Sequence, residues 1–184
     1  MTESAATYVL IDGENLDMTL GQRILSARPR SDQRPRWDRV VAFAEQHFGG
    51  PVRALFFLNA SHGLPVGFIA ALSSMGLVPV PLSGPQDVKV VDVAIQRTLQ
   101  ALLLREGAVV LGSHDADFAD DLRMLADGAR RVAVMGFTEF LSGELRDMDH
   151  VEVCDLEDDV GAFDFVLPRV RVVAIEDFDP ERYL

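Results

Sequence analysis

The chain has 184 residues, 48% of them apolar, and a formal net charge of −12 at pH 7. That length suits one domain with a sizeable core, at roughly 100–200 residues per domain, expected to run over 1–184 with its core at about 7–155 and a C-terminal extension at about 156–184. No apolar stretch reaches the ~20 residues that cross a bilayer, Met1-Thr2-Glu3-Ser4-Ala5-Ala6-Thr7 lacks the basic flank and apolar centre of a secretory signal, and the acidic field opposes non-specific adhesion to nucleic acid or anionic membrane, so the expectation is a cytoplasmic protein with no membrane partner.

Apolar runs alternate with helix-period segments, the pattern of an α/β domain whose parallel sheet grows from strand, helix, strand units. In chain order the expected strands are Tyr8–Ile11, Val52–Leu58, Leu77–Leu82, Ala108–Leu111, Arg131–Met135 and a short one at His150–Val153. The expected helices are Trp37–Phe48, Leu64–Met75, Val88–Glu106, Ala116–Asp127 and Thr138–Arg146, and Asp12-Gly13-Glu14-Asn15 reads as a polar loop. A strand-like Val170–Ile175 would add an exposed edge, which favours a homodimer. Acids concentrate at Asp155-Leu156-Glu157-Asp158-Asp159 and Glu176-Asp177-Phe178-Asp179.

Two strand ends carry carboxylates: Asp12 after the first strand, Asp115 and Asp117 after the fourth. The carboxyl ends of parallel strands open on a shared crevice. Acids gathered there repel one another, and oxygen-loving Mg²⁺ or Mn²⁺ is the usual remedy. A further acid, Asp92, falls on the apolar stripe of the longest helix with Val88, Val91, Ile95, Leu99 and Leu102. A carboxylate there needs a partner: a cation in the crevice, or a salt bridge such as one with Lys89. Asn15 could hold Asp12 or a water in place, or serve as a turn residue. Ser113 could orient Asp115 or cap the helix that follows. His114 reads either as a turn residue or as a substrate contact. Arg28, Arg30, Arg34 and Arg36 lie on a Pro-interrupted loop, either solvated or forming a lip that contacts phosphates. Cys154 is the only cysteine, read as a small buried residue, and no Cys or His spacing suits a structural zinc site. His47, His62, His114 and His150 are dispersed and offer no nucleophilic triad.

At these residues the chain resembles the NYN domain family, a branch of the PIN-like nuclease superfamily, in its LabA-like bacterial form. Val9-Leu10-Ile11-Asp12-Gly13-Glu14-Asn15-Leu16 is similar to the family's strand followed by Asp-x-x-Asn. Lys89-Val90-Val91-Asp92-Val93-Ala94-Ile95 is similar to its Lys-x-x-Asp-Val helix, and Leu111-Gly112-Ser113-His114-Asp115-Ala116-Asp117-Phe118 to its Ser-x-Asp-x-Asp-Phe motif. Gly136-Phe137 and Phe140-Leu141 fit its later region, so the likeness covers about residues 7–155. One departure stands out: where the family helix often has a second aspartate, six residues after the first, this chain has Thr98.

The resemblance implies a three-layer αβα sandwich of the PIN-like type with a mostly parallel sheet, and metal-dependent hydrolysis of RNA, single-stranded or structured. Asp12, Asp92, Asp115 and Asp117 would hold Mg²⁺ or Mn²⁺, Asn15 would join them in catalysis, and Ser113, His114 and the four arginines would bind substrate. Such ions lower the pKa of a bound water, orient the scissile phosphate and neutralise charge in the transition state. The alternative is a weakly active or inactive regulatory module that binds RNA or protein, motivated by Thr98 and the acidic surface. A haloacid-dehalogenase-type phosphatase matches only partly, because Glu14 and Leu16 stand where its second acid and following Thr or Val belong. The acids after the first strand disfavour a dinucleotide site, which would need Gly-x-Gly-x-x-Gly there, and no Walker A loop is present.

Overall fold

In the computed structural model, which describes residues 5–173 and 175–184, six strands form one sheet. They are β1 (Thr7–Asp12), β2 (Val52–Asn59), β3 (Val78–Leu82), β4 (Ala108–Gly112), β5 (Val132–Gly136) and β6 (Val151–Asp155). The order is β3-β2-β1-β4-β5-β6, with every pair parallel. The chain builds outward from β1 to β3, then crosses back to place β4 on the other side of β1. The strand order therefore reverses between β1 and β4, and a crevice opens at their carboxyl ends, where ligands of such sheets bind.

Strand alternation divides the core into two layers. Val9, Ile11, Val110, Ala133, Met135 and Cys154 face α1 (Gly13–Thr19), α2 (Trp37–Phe48) and α3 (Val66–Ser74), where Leu16, Trp37, Val40 and Leu72 complete the packing. Leu10, Val109, Leu111, Val132 and Val134 face α4 (Val90–Leu102), α5 (Ala119–Leu125) and α6 (Gly143–Arg146), meeting Ile95, Leu99, Leu122 and Leu145. Both faces are covered, which is why the strands read as continuous apolar runs. β3 carries Pro79 and Pro81 but pairs only with β2, and an edge position tolerates their missing N–H groups.

Several local expectations change. The segment after β1 is helical: α1 begins at Gly13 and continues as a π-helical turn over Leu20–Leu25. Leu16, Leu20 and Ile24, four residues apart and buried, drive it. The long helices are shorter. α4 starts after Lys89 and ends at Leu102, while Ala116–Phe118 and Thr138–Phe140 are separate 3₁₀ turns ahead of α5 and α6. Ser142 caps α6 afresh by accepting the Leu145 N–H, which breaks the run expected over Thr138–Arg146.

The expected strand at Val170–Ile175 does not form over its described residues. Val170–Val173 is irregular, a 3₁₀ turn begins at Ile175, and Ala174 lies outside the described residues, as do Met1–Ser4 of the leader reading. The extension instead straps back over the molecule. Arg36 and Arg39 both engage Asp164, and the Arg36 N–H donates to the Ala162 carbonyl. Arg169 and Arg171 reach Glu139 and Glu157, and Arg171 also reaches Asp155 and Asp158. The acidic run at 155–159 is thus largely matched within the fold. Among the described residues no helix is long and apolar enough to cross a membrane.

Candidate metal centre

Asp12 ends β1 and caps α1, its Oδ1 accepting the Asn15 N–H at 3.2 Å. Its Oδ2 accepts the Ser113 hydroxyl at 3.0 Å, so Ser113 orients Asp12, and its Oγ also accepts the Asp115 N–H at 3.3 Å. Asp12 is buried, and that burial pushes its carboxyl up to about 6. The two hydrogen bonds work against the rise, and the charges of Asp92 and Glu14 add to it. Glu14, at the start of α1, accepts the Asn59 N–H at the end of β2.

The Asn15 side chain grips the opposite loop rather than Asp12. Its Oδ1 accepts the His114 N–H at 3.0 Å and lies 2.9 Å from His114 Nδ1. Nε2 of the same ring accepts the Phe137 N–H at 2.9 Å, so the proton resides on Nδ1, shared between Asn15 and Thr19. His114, read from sequence either as a turn residue or as a substrate contact, therefore has both ring nitrogens engaged inside the protein. The ring is buried and stacks on Phe137, and burial holds its pKa down to about 4. A Cβ on Gly136 would lie 2.7 Å from His114 Nε2, so the bare backbone there makes room for the imidazole.

Beyond this tie the loop delivers Asp115, which caps the next 3₁₀ turn by accepting the Asp117 N–H at 3.0 Å. Ligand oxygens of Asp92, Asp115 and Asp117 lie within 4.8 Å of one another. Asp12, expected as a fourth ligand, is not among these three, although the charge of Asp92 reaches it. Asp92 is half-buried, and Lys89 Nζ stands 3.3 Å from its Oδ2 and 3.2 Å from Asp117 Oδ2. Asp92 thus makes the expected pair with Lys89 and lies beside the other two acids. The cluster could hold a divalent cation, since its donors are hard carboxylate oxygens and the one ammonium among them is exposed.

Two neighbours went unread in the sequence. Gln96 Nε2 donates to the Asp117 carbonyl at 3.3 Å, and Gln100 Nε2 to the buried Asp121 carboxylate at 3.0 Å. Asp92, Gln96 and Gln100 recur at four-residue steps, a polar line along α4 that is itself a legible signal. Thr98 is not on that line. Its hydroxyl donates to the Ala94 carbonyl at 2.8 Å, within its own helix.

The arginine loop is mostly neutralised. Arg30 pairs with Asp32, Arg34 forks onto Asp17 at 2.7 and 3.1 Å, and Arg36 pairs with Asp38 and Asp164. Arg28 is exposed and, among the described residues, has no acidic partner; it lines a cleft of about 710 Å³ with Glu14, Asp17 and Met18.

No curated protein matches the chain significantly. Among solved structures it is similar to VPA0982, a protein of unknown function from Vibrio parahaemolyticus RIMD 2210633, with a TM-score of 0.68 and 19% identity over 86% of this chain and 97% of that one. At that identity the likeness is one of fold. The sequence profile of the NYN domain matches residues 6–157, a span that holds all six strands and every acid of the cluster, and the protein therefore belongs to the NYN domain family, within the PIN-like nuclease superfamily.

Proposed function

We propose that the protein is a cytoplasmic, divalent-cation-dependent endoribonuclease that hydrolyses RNA phosphodiester bonds at the crevice between β1 and β4. The observation that carries this reading is the convergence of Asp92, Asp115 and Asp117 within 4.8 Å at the switch point of a nuclease-family fold. The residues fit Mg²⁺ or Mn²⁺ because the donor set is all carboxylate. A cation bound there would supply Lewis acidity, activating water and stabilising charge on the phosphate. The protein's own contribution is position. Ser113 and the Asn15 N–H fix Asp12, the Asn15 to His114 tie fixes the loop that bears Asp115, and Gln96 steadies Asp117. Arg28 is best placed of the four arginines to meet a phosphate backbone, because its charge is not already spent.

The matched arginines favour a second reading, a scaffold that binds RNA or protein without cutting it. One experiment separates the two. Mn²⁺ titration by calorimetry should give heat that disappears in Asp115→Asn, and the wild type should degrade single-stranded RNA only with the cation. Folded protein that binds no divalent ion and leaves varied RNAs intact would refute the enzyme.

A further inference from the structure

A second set of ligand-type side chains lies away from the aspartates. His47 is in the last turn of α2, Glu152 and Cys154 stand two residues apart on β6, and Arg131 immediately precedes β5. Glu152 and Arg131 belong to the amino-terminal end of the sheet, at its β6 edge, whereas the aspartates occupy the carboxyl ends around β1 and β4. A ring nitrogen of His47, a carboxylate oxygen of Glu152 and Sγ of Cys154 lie within 4.8 Å of one another. Residues 105 apart in sequence thus place one imidazole, one carboxylate and one sulfur around a single point.

We infer that His47, Glu152 and Cys154 form a second metal site, selective for Zn²⁺ and independent of the aspartate cluster. The donor set decides the ion. Sulfur and imidazole suit zinc, which takes Cys, His and carboxylate ligands in tetrahedral array with water able to fill the fourth place. Magnesium and manganese prefer the all-oxygen set at the other end of the sheet.

The surroundings hold each ligand in place. Arg131 donates to the second oxygen of Glu152 at 2.9 Å, leaving the first turned toward His47. The His47 ring stacks on Phe43, with centroids 5.0 Å apart, and meets the edge of Phe48, whose face carries the Arg131 guanidinium. Oriented outer partners of this kind raise metal affinity. Cys154 is fixed by its strand, register-paired with Met135 and buried. Binding replaces the His47 to Glu152 hydrogen bond with two bonds to the ion and displaces the thiol proton. The ion then joins the end of α2 to the edge strand.

Cobalt substitution of the full-length protein tests this directly. One equivalent of Co²⁺ should give a thiolate-to-cobalt charge-transfer band in the near ultraviolet, and Zn²⁺ should abolish it by displacement. The band should vanish in Cys154→Ser and persist in Asp115→Asn. His47→Gln, with its fold checked by circular dichroism, should weaken Co²⁺ binding by at least about a hundredfold. Absence of the band in the wild type, its survival in Cys154→Ser, or unaltered Co²⁺ affinity in His47→Gln overturns the site.

Discussion

Replacing Asp12 by Asn should make the cation-free protein more stable at neutral and alkaline pH. Asp12 is only 3% exposed, and burial raises its pKa from 3.8 to about 6, assisted by Asp92 and Glu14. At about 1.4 kcal/mol per pH unit, ionising it in the folded state costs about 3 kcal/mol relative to the unfolded chain. The sign follows from linkage: the folded state holds the proton more tightly, so stability from this group is complete below 3.8 and is lost as pH rises through about 6. Asparagine keeps an acceptor for the Asn15 N–H, and the Ser113 hydroxyl can turn to accept from the new amide, so a gain of about 1–3 kcal/mol should survive at about pH 8. Urea unfolding at about pH 8 and about pH 4, in cation-free buffer, measures it. A variant no more stable than the wild type at the higher pH, or equally stabilised at both, would refute the reasoning.

Three other substitutions probe the same neighbourhood. Lys89→Met removes the ammonium that stands between Asp92 and Asp117 and should tighten Mn²⁺ binding several-fold by calorimetry; weaker binding would show that the ammonium helps build the site. His114→Ala should cost about 2–4 kcal/mol in urea unfolding, because it leaves a cavity and strands the Phe137 N–H, whereas an exposed turn residue would cost under about 0.5. Since burial lowers the His114 pKa to about 4, the stability it provides is present above 6.5 and lost as pH falls through about 4, so the gap should narrow in acid. Gly13→Ala would set a Cβ 2.3 Å from Phe56, whose ring meets Trp37 edge-on, and should cost about 1–3 kcal/mol with a shift in Trp37 fluorescence.

The sheet was legible because its central strands β1, β4 and β5 are buried on both faces and so announce themselves as apolar runs. Asp12, Asp92, Asp115 and Asp117 were legible for a related reason, carboxylates being conspicuous at strand ends and on an apolar stripe. α1 was hidden by the polar Asp12-Gly13-Glu14-Asn15 at its start, although Leu16, Leu20 and Ile24 carried its period. What could not be read was pairing across the chain. Asn15 meets His114 from 99 residues away, Arg36 meets Asp164 from 128, and no local pattern encodes such partners. The arginine loop shows the same limit: its composition left a solvated loop and a phosphate-contacting lip equally open, and its ion pairs reveal that much of that charge is answered from within. Val170–Val173 had strand composition, but Arg169 and Arg171 anchor this stretch to acids of the fold rather than leaving it to extend the sheet.

The cross-tie from Asn15 to His114, with the Ser113 to Asp12 bond beside it, is made wholly of protein atoms. The two acid-bearing loops are consequently clamped at their roots before any cation arrives. A chelator should strip the crevice without loosening its frame, and reloading should proceed at the speed of diffusion, with no slow refolding phase. Such preorganisation means that the repulsion among the aspartates was met once, during folding, and every later turnover would begin from a scaffold already set.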